Sequence, residues 1–336
     1  MLSLIPTQRG ASIISIDSAI SSKSINNKMI SSLVNTSKEW IEQRTGIKNR
    51  TIVTGRHISI IDLSSKAALK ALKQIKLKPI DIELIIFATS TPNDLFGSAS
   101  KLQANIGAFK AVALDLTVAC SGFIVAMIIA TQFIENNSYR HVLIIGADVL
   151  SKWINWKNRN TCILFGDGAG AMIMSSATQS NRSILGFTMN TDGNQAHLLS
   201  IPYEFNYYSN SSLNIFSGQF DYIQMNGRNI YKFAISKIPA SILSCLQSLK
   251  LNIKAIDWLL LHQANKRIIL NIAEKLTLKK SNIITNIETL GNTSAASIPL
   301  ALTDAINKNL LIKNQLIVIS GFGAGLTWST IIVKWQ

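Results

Sequence analysis

The sequence predicts an α/β protein built from two halves with the same internal order. Three observations carry this. Leu77 to Ser90, LKPIDIELIIFATS, is echoed by Ile253 to Asn265, IKAIDWLLLHQAN; each has an Ile-Asp lead-in, an unbroken apolar run and a polar turn. RHVLIIGADVLS from Arg140 and NQLIVISGFGAGLTW from Asn314 repeat in the same order further along. Unbroken apolar strands belong to sheets covered on both faces, and segments such as SIIDLSSKAALKALKQI and NIYKFAISKIPASILSCLQSL are apolar at helical spacing. The halves are expected to be residues 1–178 and 179–336, meeting without a flexible linker.

The elements follow in order. MLSLIPTQRG is basic and free of acids, but ASIISI reads as a first strand immediately after it, which leaves no removable signal or transit segment. Thr36 with Glu39 predicts a capping box opening the helix SKEWIEQ. The strand AVALDLTVA stops at Cys120, and Ser121 to Ile134 follows as a buried helix too short to span a bilayer. TCILF, with Cys162, is strand-like, and ASILSCLQSLK, with Cys245, is helical; both cysteines read as small buried hydrophobes. Glu204 to Leu213 is expected to form polar surface loops, an insertion. DWLLL is a strand ending at His262, and TLGNTSAAS is a glycine-containing turn before a helix.

Composition narrows the function classes. The chain has 336 residues, 47% hydrophobic and 15% charged, which allows a large core and excludes a disordered chain. Its three cysteines show no metal spacing and cannot all pair, which points to a reducing compartment. A net charge of +15 asks for an acidic partner or surface. A basic nucleic-acid-binding protein would explain that charge. However, the Lys and Arg residues are scattered, aromatics are few, and no zinc-finger, KH or RRM signature appears. An acidic protein or a phosphate-bearing cofactor fits at least as well, and the richness in Ile, Asn, Lys and Ser also fits genomic base bias.

In an α/β duplication, sites gather in the turns after strand ends. Cys120, His262 and Asn292 all lie in such turns. Singly, each residue type more often packs or caps. Together they can supply a nucleophile, an imidazole and an amide donor. At the start of a helix, free N–H groups and the dipole favour a thiolate at Cys120. FGDGAGA lacks the GxGxxG spacing of a dinucleotide loop and reads as close strand–helix packing. GFGAGLTW presents consecutive backbone N–H groups, either an oxyanion cradle or a tight turn.

VACSGF, LHQANKRI, GNTSAASIP and GFGAGLTW, with EWIEQRTGI and FGDGAGA, resemble the β-ketoacyl-[acyl-carrier-protein] synthase III family of the thiolase-like superfamily, in order from about Ser37 to the C-terminus. The resemblance implies a thiolase-like duplicated fold, with mixed five-stranded sheets in an α-β-α-β-α layered sandwich. It implies that Cys120 takes an acetyl group from acetyl-CoA and that malonyl carried on acyl carrier protein loses carbon dioxide and condenses with it. This is the priming step of dissociated fatty-acid synthesis. His262 and Asn292 would donate to the thioester oxygen as it becomes an enolate, and the backbone N–H groups of Cys120 and Ala324 would hold the oxyanion. Many relatives carry glycine at the Ala324 position. Elongating ketosynthases place a second His where this chain has Asn292.

The resemblance also assigns Trp40 and Arg159 to the adenine of CoA, Thr36 and Arg44 to the same segment, and Asn265 to the pantetheine arm. Lys232, Lys266 and Arg267 would meet the phosphate or the acidic carrier protein. Phe96, in NDLFGS, would reach across a homodimer and limit the acyl pocket. No resident cofactor, metal, nucleic acid or membrane is implied. The compartment would be a plastid whose own genome encodes the chain, or a bacterial cytoplasm. An alternative within enzymes is a thiolase-like acyltransferase of secondary metabolism that uses the same Cys-His-Asn set on another acceptor. A papain-like protease lacks the expected Cys context.

Overall fold

Two mixed five-stranded sheets frame the molecule, and strand for strand they share one order. The computed structural model describes residues 9–55, 58–210 and 213–336, so MLSLIPTQ lies outside the described residues. The first sheet contains β1 (Arg9–Ala19), β2 (Leu84–Ala88), β3 (Val112–Leu116), β4 (His141–Val149) and β5 (Asp167–Thr178), in the order β1-β5-β4-β2-β3. The second contains β6 (Ile184–Thr191), β7 (Trp258–Leu261), β8 (Ile283–Ile284), β9 (Leu316–Phe322) and β10 (Thr327–Lys334), in the order β6-β10-β9-β7-β8. In each sheet three neighbouring strands pair in parallel, and the remaining two pairings are antiparallel, so one strand runs against the other four. The sequence repeats fall on equivalent positions: β2 with β7, and β4 with β9.

The helices of eight or more residues are α1 (Lys38–Thr45), α2 (Ile60–Gln74), α3 (Ala99–Ile106), α4 (Gly122–Glu135), α5 (Gly227–Ser248), α6 (Lys266–Lys275) and α7 (Ser297–Asn307). Helices α4 and α7 fill the middle layer. Phe123, Met127, Ile298 and Leu302 pack in one core with Ile86 and Ile144 of the first sheet and with Leu260 and Ile319 of the second. The neighbouring residues in those strands point the other way, as the pleat requires. Ile85, Phe87 and Leu143 meet Leu63 and Leu102 of α2 and α3, while Leu259 and Val318 meet Phe233 and Ile272 of α5 and α6. This makes the expected five layers. Because α4 is enclosed by sheets on both sides, it is apolar around its circumference from Gly122 to Ala130. In FGDGAGA, a Cβ on Gly170 would lie 2.4 Å from Pro299 and one on Gly168 would lie 2.8 Å from Leu300, so these glycines admit α7 against β5. This is the packing role read from the sequence.

Several local expectations are corrected. Ser37, not Thr36, caps α1: its Oγ accepts from Trp40 N at 3.1 Å, and the Thr36 hydroxyl is buried without a partner among the described residues. TCILF is not a strand. Cys162 ends a helical turn, Arg159–Cys162, and the chain then runs on to β5. The segment expected to loop at Glu204 to Leu213 belongs to an antiparallel ribbon, Tyr203–Asn210 with Leu213–Phe220. The stretch from Glu204 to Leu213 is largely polar and shows no sustained apolar alternation to mark it as strand. Strand β3 is apolar yet only partly covered, because it forms the edge of its sheet.

Candidate active site

Between β3 and α4 the chain makes a tight turn, Ala119–Ser121, with Ala119 at φ +47°. A non-glycine residue in that region stores backbone strain, which persists only where the surroundings enforce it. The turn places Cys120 at the floor of a cavity of about 570 Å³, with Phe165, Leu150, Trp153, Ser294 and Ala324 among its walls. Cys120 is 7% exposed, and its Sγ lies 3.3 Å from Ser294 Oγ. Burial pushes the thiol up to about 12, while the Ser294 contact acts in the opposite direction. The resting side chain is therefore a thiol. The thiolate expected from the helix start is outweighed by the apolar surroundings.

His262 follows β7 and is held by its own N–H, which donates to Ser320 O at 2.9 Å. Its ring meets the edge of Phe322 at 5.8 Å, and burial lowers its pKa to about 3, so it is neutral. Nδ1 lies 2.7 Å from Ser297 Oγ, which also accepts from Gln263 N at 3.4 Å. The Ser297 hydroxyl has no other acceptor among the described residues, so its proton is assigned to Nδ1, which places the imidazole proton on Nε2. The ring is set up as a neutral N–H donor.

Asn292 is fixed through its backbone and its side chain. Its N–H donates to Leu164 O and its carbonyl accepts from Gly166 N, both at 2.9 Å. Its Oδ1 accepts from Ser294 N at 2.9 Å, which leaves the amide N–H₂ as the end available to a ligand. One short segment, residues 292–297, thus carries Asn292, the Ser294 partner of Cys120 and the Ser297 partner of His262. This segment links the three sequence-predicted residues: Cys120 through Ser294, His262 through Ser297, and Asn292 itself.

Among the described residues, the backbone N–H groups of Cys120 and Ala324 make no backbone hydrogen bond outside their own helical turns. Gly323 packs directly against the first: a Cβ there would lie 2.6 Å from Cys120 N. Only glycine leaves that N–H open, as an oxyanion cradle requires.

The sequence reading missed Ser294 and Ser297, although both hydroxyls lie within GNTSAAS, and it missed Asp148. The last is fully buried and accepts from Ser90 N (2.8 Å), Thr91 Oγ1 (2.9 Å) and Ala295 N (3.1 Å), with burial raising its pKa. An acid inside the apolar run LIIGADVL was the available signal, since a buried carboxylate needs partners.

The outer candidates are placed as follows. The Arg159 guanidinium sits 4.8 Å from the Trp40 ring, and that of Arg44 5.9 Å from the same ring. Asn265 caps α6, with Oδ1 accepting from Arg267 N (2.8 Å) and Nδ2 donating to Arg44 O (3.0 Å), so both of its ends are engaged. Lys266 pairs with Glu288. Arg267 lies 5.6 Å over the Tyr231 ring, and Lys232 is exposed on α5. Phe96 is 98% exposed.

Chemically, the site offers a buried thiol, two neutral N–H donors and a backbone cradle beside an apolar cavity. This set can accept an acyl group and stabilise an oxyanion or enolate. Among the described residues, no group of three His, Cys, Asp or Glu side chains could hold a metal, and no helix is long and apolar enough to cross a membrane.

Comparison with known proteins agrees. Residues 114–193 match the family model of 3-oxoacyl-[acyl-carrier-protein] synthase III, and residues 246–335 match its C-terminal model. The chain is 46% identical to the β-ketoacyl-[acyl-carrier-protein] synthase III of Porphyra purpurea, covering 97% of this chain and 100% of that one. It is 47% identical to the protein of that description from Microcystis aeruginosa, covering 95% of each. The crystal structure of 3-oxoacyl-[acyl-carrier-protein] synthase III from Aquifex aeolicus superposes with a TM-score of 0.88 at 36% identity, over 97% of this chain and 100% of that one. With the two family models spanning all four motif regions and relatives 46–47% identical over nearly the whole chain, the chain belongs to the β-ketoacyl-[acyl-carrier-protein] synthase III family of condensing acyltransferases.

Proposed function

We propose that this chain condenses acetyl-CoA with malonyl-acyl carrier protein through an acetyl-Cys120 intermediate, giving acetoacetyl-acyl carrier protein and carbon dioxide. Residues 1–178 would carry the nucleophile, and residues 179–336 the two donors. The observation that carries the reading is the 292–297 segment, which ties a buried thiol to two neutral donors beside an apolar cavity.

In the first half-reaction, Cys120 Sγ attacks the thioester carbon, the N–H groups of Cys120 and Ala324 hold the oxyanion, and the thiol proton leaves with the sulfur of CoA. In the second, the malonyl group loses carbon dioxide. The electron pair left behind forms an enolate whose oxygen accepts from His262 Nε2–H and Asn292 Nδ2–H. The enolate carbon attacks the acetyl carbon, and Cys120 leaves and regains a proton. Decarboxylation itself generates the nucleophile, so the site needs no carboxylate base, and neither half-reaction calls for a metal or a redox cofactor.

Adenine of CoA would slide between Trp40 and Arg159, which now touch each other, with Thr36 and Arg44 beside it. Asn265 would reach the pantetheine arm only by giving up one of its present bonds. Lys232 and Arg267 are the freer cations for an acidic carrier protein, since Lys266 is engaged by Glu288. The β3 edge and the exposed Val112, Phe109, Leu95 and Phe96 support a homodimer, with Phe96 entering the partner's acyl pocket. A plastid or a bacterial cytoplasm suits these relatives. The test is turnover with acetyl-CoA and malonyl-carrier protein: acetoacetyl-carrier protein is expected. Acyl transfer to other acceptors with none to malonyl-carrier protein would favour the secondary-metabolism alternative.

A further inference from the structure

Arg50 is the largest side chain with no exposed surface, and the chemistry above does not use it. It lies in the short strand Asn49–Thr51. Its Nε and Nη2 both donate to Ile163 O, the former at 2.9 Å, and Nη1 donates to Asn27 Oδ1. These acceptors are neutral, and no carboxylate pairs with it among the described residues. A cation buried without a counter-charge is costly to fold, and such departures from ordinary packing concentrate at functional sites.

Its contacts converge on Asn292. The Arg50 stem lies beneath Gly291, where a Cβ would come within 2.8 Å of Arg50 Cγ and 2.9 Å of Leu164 O. Gly291 adopts φ +71°, so glycine is needed there for conformation as well as for space. The guanidinium grips the carbonyl of Ile163, the residue before Leu164, and Leu164 O accepts from Asn292 N. Two residues further on, Gly166 N donates to Asn292 O. Arg50 therefore bears on the residue preceding Asn292 and holds one end of the strap to which the Asn292 backbone is bonded. The Asn292 amide is aimed by that backbone and by Ser294 N. Cys120, by contrast, is placed by its own turn at the start of α4.

We infer that Arg50 is a positioning residue for Asn292: its planar fork fixes the strap 163–166 and the Gly291 turn so that the Asn292 amide faces the forming enolate. The inference rests on the donor role given to Asn292 above. A Lys ammonium keeps the charge but cannot supply the same rigid fork to Ile163 O and Asn27 Oδ1 together.

The experiment separates the half-reactions in the full-length protein: acetylation of Cys120 by acetyl-CoA, and carbon dioxide release from malonyl-carrier protein. In Arg50→Lys and Arg50→Gln, acetylation should stay within about threefold of the parent, while decarboxylation should fall by about a hundredfold, the usual consequence of misplacing a reacting group by about 1 Å. A parallel fall in both, or no fall in either, overturns the proposal, because a purely structural role would move the two together. Asn292→Ala is measured alongside. If it shows the split and the Arg50 variants do not, Arg50 alone is refuted. If it shows no split, the donor role of Asn292 fails and the inference falls with it. Should the Arg50 variants not fold, Asn27→Ala, which frees one arm of the fork, should give a milder selective loss of about tenfold; equal losses or none would refute the proposal.

Discussion

Replacing Ser297 with alanine removes a single hydroxyl, and the structure fixes what should follow. That hydroxyl stands 2.7 Å from His262 Nδ1 and, as a donor to it, holds the imidazole proton on Nε2. In Ser297→Ala the ring nitrogen is buried without a partner, which costs about 1–3 kcal/mol of stability. Protonation offers no escape, because burial holds His262 neutral down to about pH 3. The effect on catalysis follows from the tautomer. Complete loss of one preorganised donor costs about 3 kcal/mol of barrier, roughly a hundredfold in rate. The substitution leaves the ring in place and only frees it to hold its proton on either nitrogen, so decarboxylation should drop by about tenfold. Acetylation of Cys120, which relies on the backbone cradle, should change by less than about threefold. The assay compares carbon dioxide release from malonyl-carrier protein with acetyl incorporation by intact mass, beside a thermal melt. Ser297→Thr keeps the hydroxyl and should recover most of the loss. Unchanged decarboxylation in a folded Ser297→Ala, or equal loss in both half-reactions, would refute the reasoning.

Other outcomes follow from the same geometry. Asn292→Asp places an anion where an enolate forms, so decarboxylation should fall by more than about a hundredfold and acetylation by far less; equal losses would sink the donor role. Trp40→Ala and Arg159→Ala should each raise KM for acetyl-CoA by about tenfold with little change in kcat, given the value of a stacked cation; an unchanged KM would exclude the adenine site. For pH, His262 drops from 6.5 to about 3 on folding, so the unfolded chain binds its proton first and stability from this residue declines as pH falls below about 6.5. Cys120 rises from 9.0 to about 12, so the folded chain keeps its proton longer and stability declines as pH rises above about 9. Burial of Asp148 and Asp167 works against the acid decline, so the His262 share is read as the difference in urea melts between the parent and His262→Gln. Parallel curves would contradict it.

The architecture was legible because the most buried strands are also the repeated ones. Strands β2, β4, β7 and β9 occupy the centres of their sheets, where cover on both faces forces an unbroken apolar run. Where that pressure is missing, the reading failed. The segments Tyr203–Asn210 and Leu213–Phe220 pair as an antiparallel ribbon, and the largely polar sequence there carries no sustained strand signal. At α1 both Thr36 and Ser37 could cap, and composition cannot choose between neighbouring hydroxyls; the backbone turn selects Ser37. The site shows the same divide. Cys120, His262 and Asn292 stand at strand or turn ends, where small neighbours mark them out. Arg50, Asp148, Ser294 and Ser297 make their contacts with residues far away in the chain, and only the folded structure discloses those partners. The sequence favours a thiolate at Cys120 because the helix start is visible in it, whereas the apolar enclosure that raises the thiol pKa is not.

The most direct test of the account is intact mass of the purified chain after mixing with acetyl-CoA, followed by peptide mapping. One acetyl group on the peptide holding Cys120, absent from Cys120→Ala, is the predicted result. A folded protein with a free Cys120 thiol and no adduct, or an acetyl group on another residue, would contradict the claim that Cys120 is the acyl-carrying nucleophile.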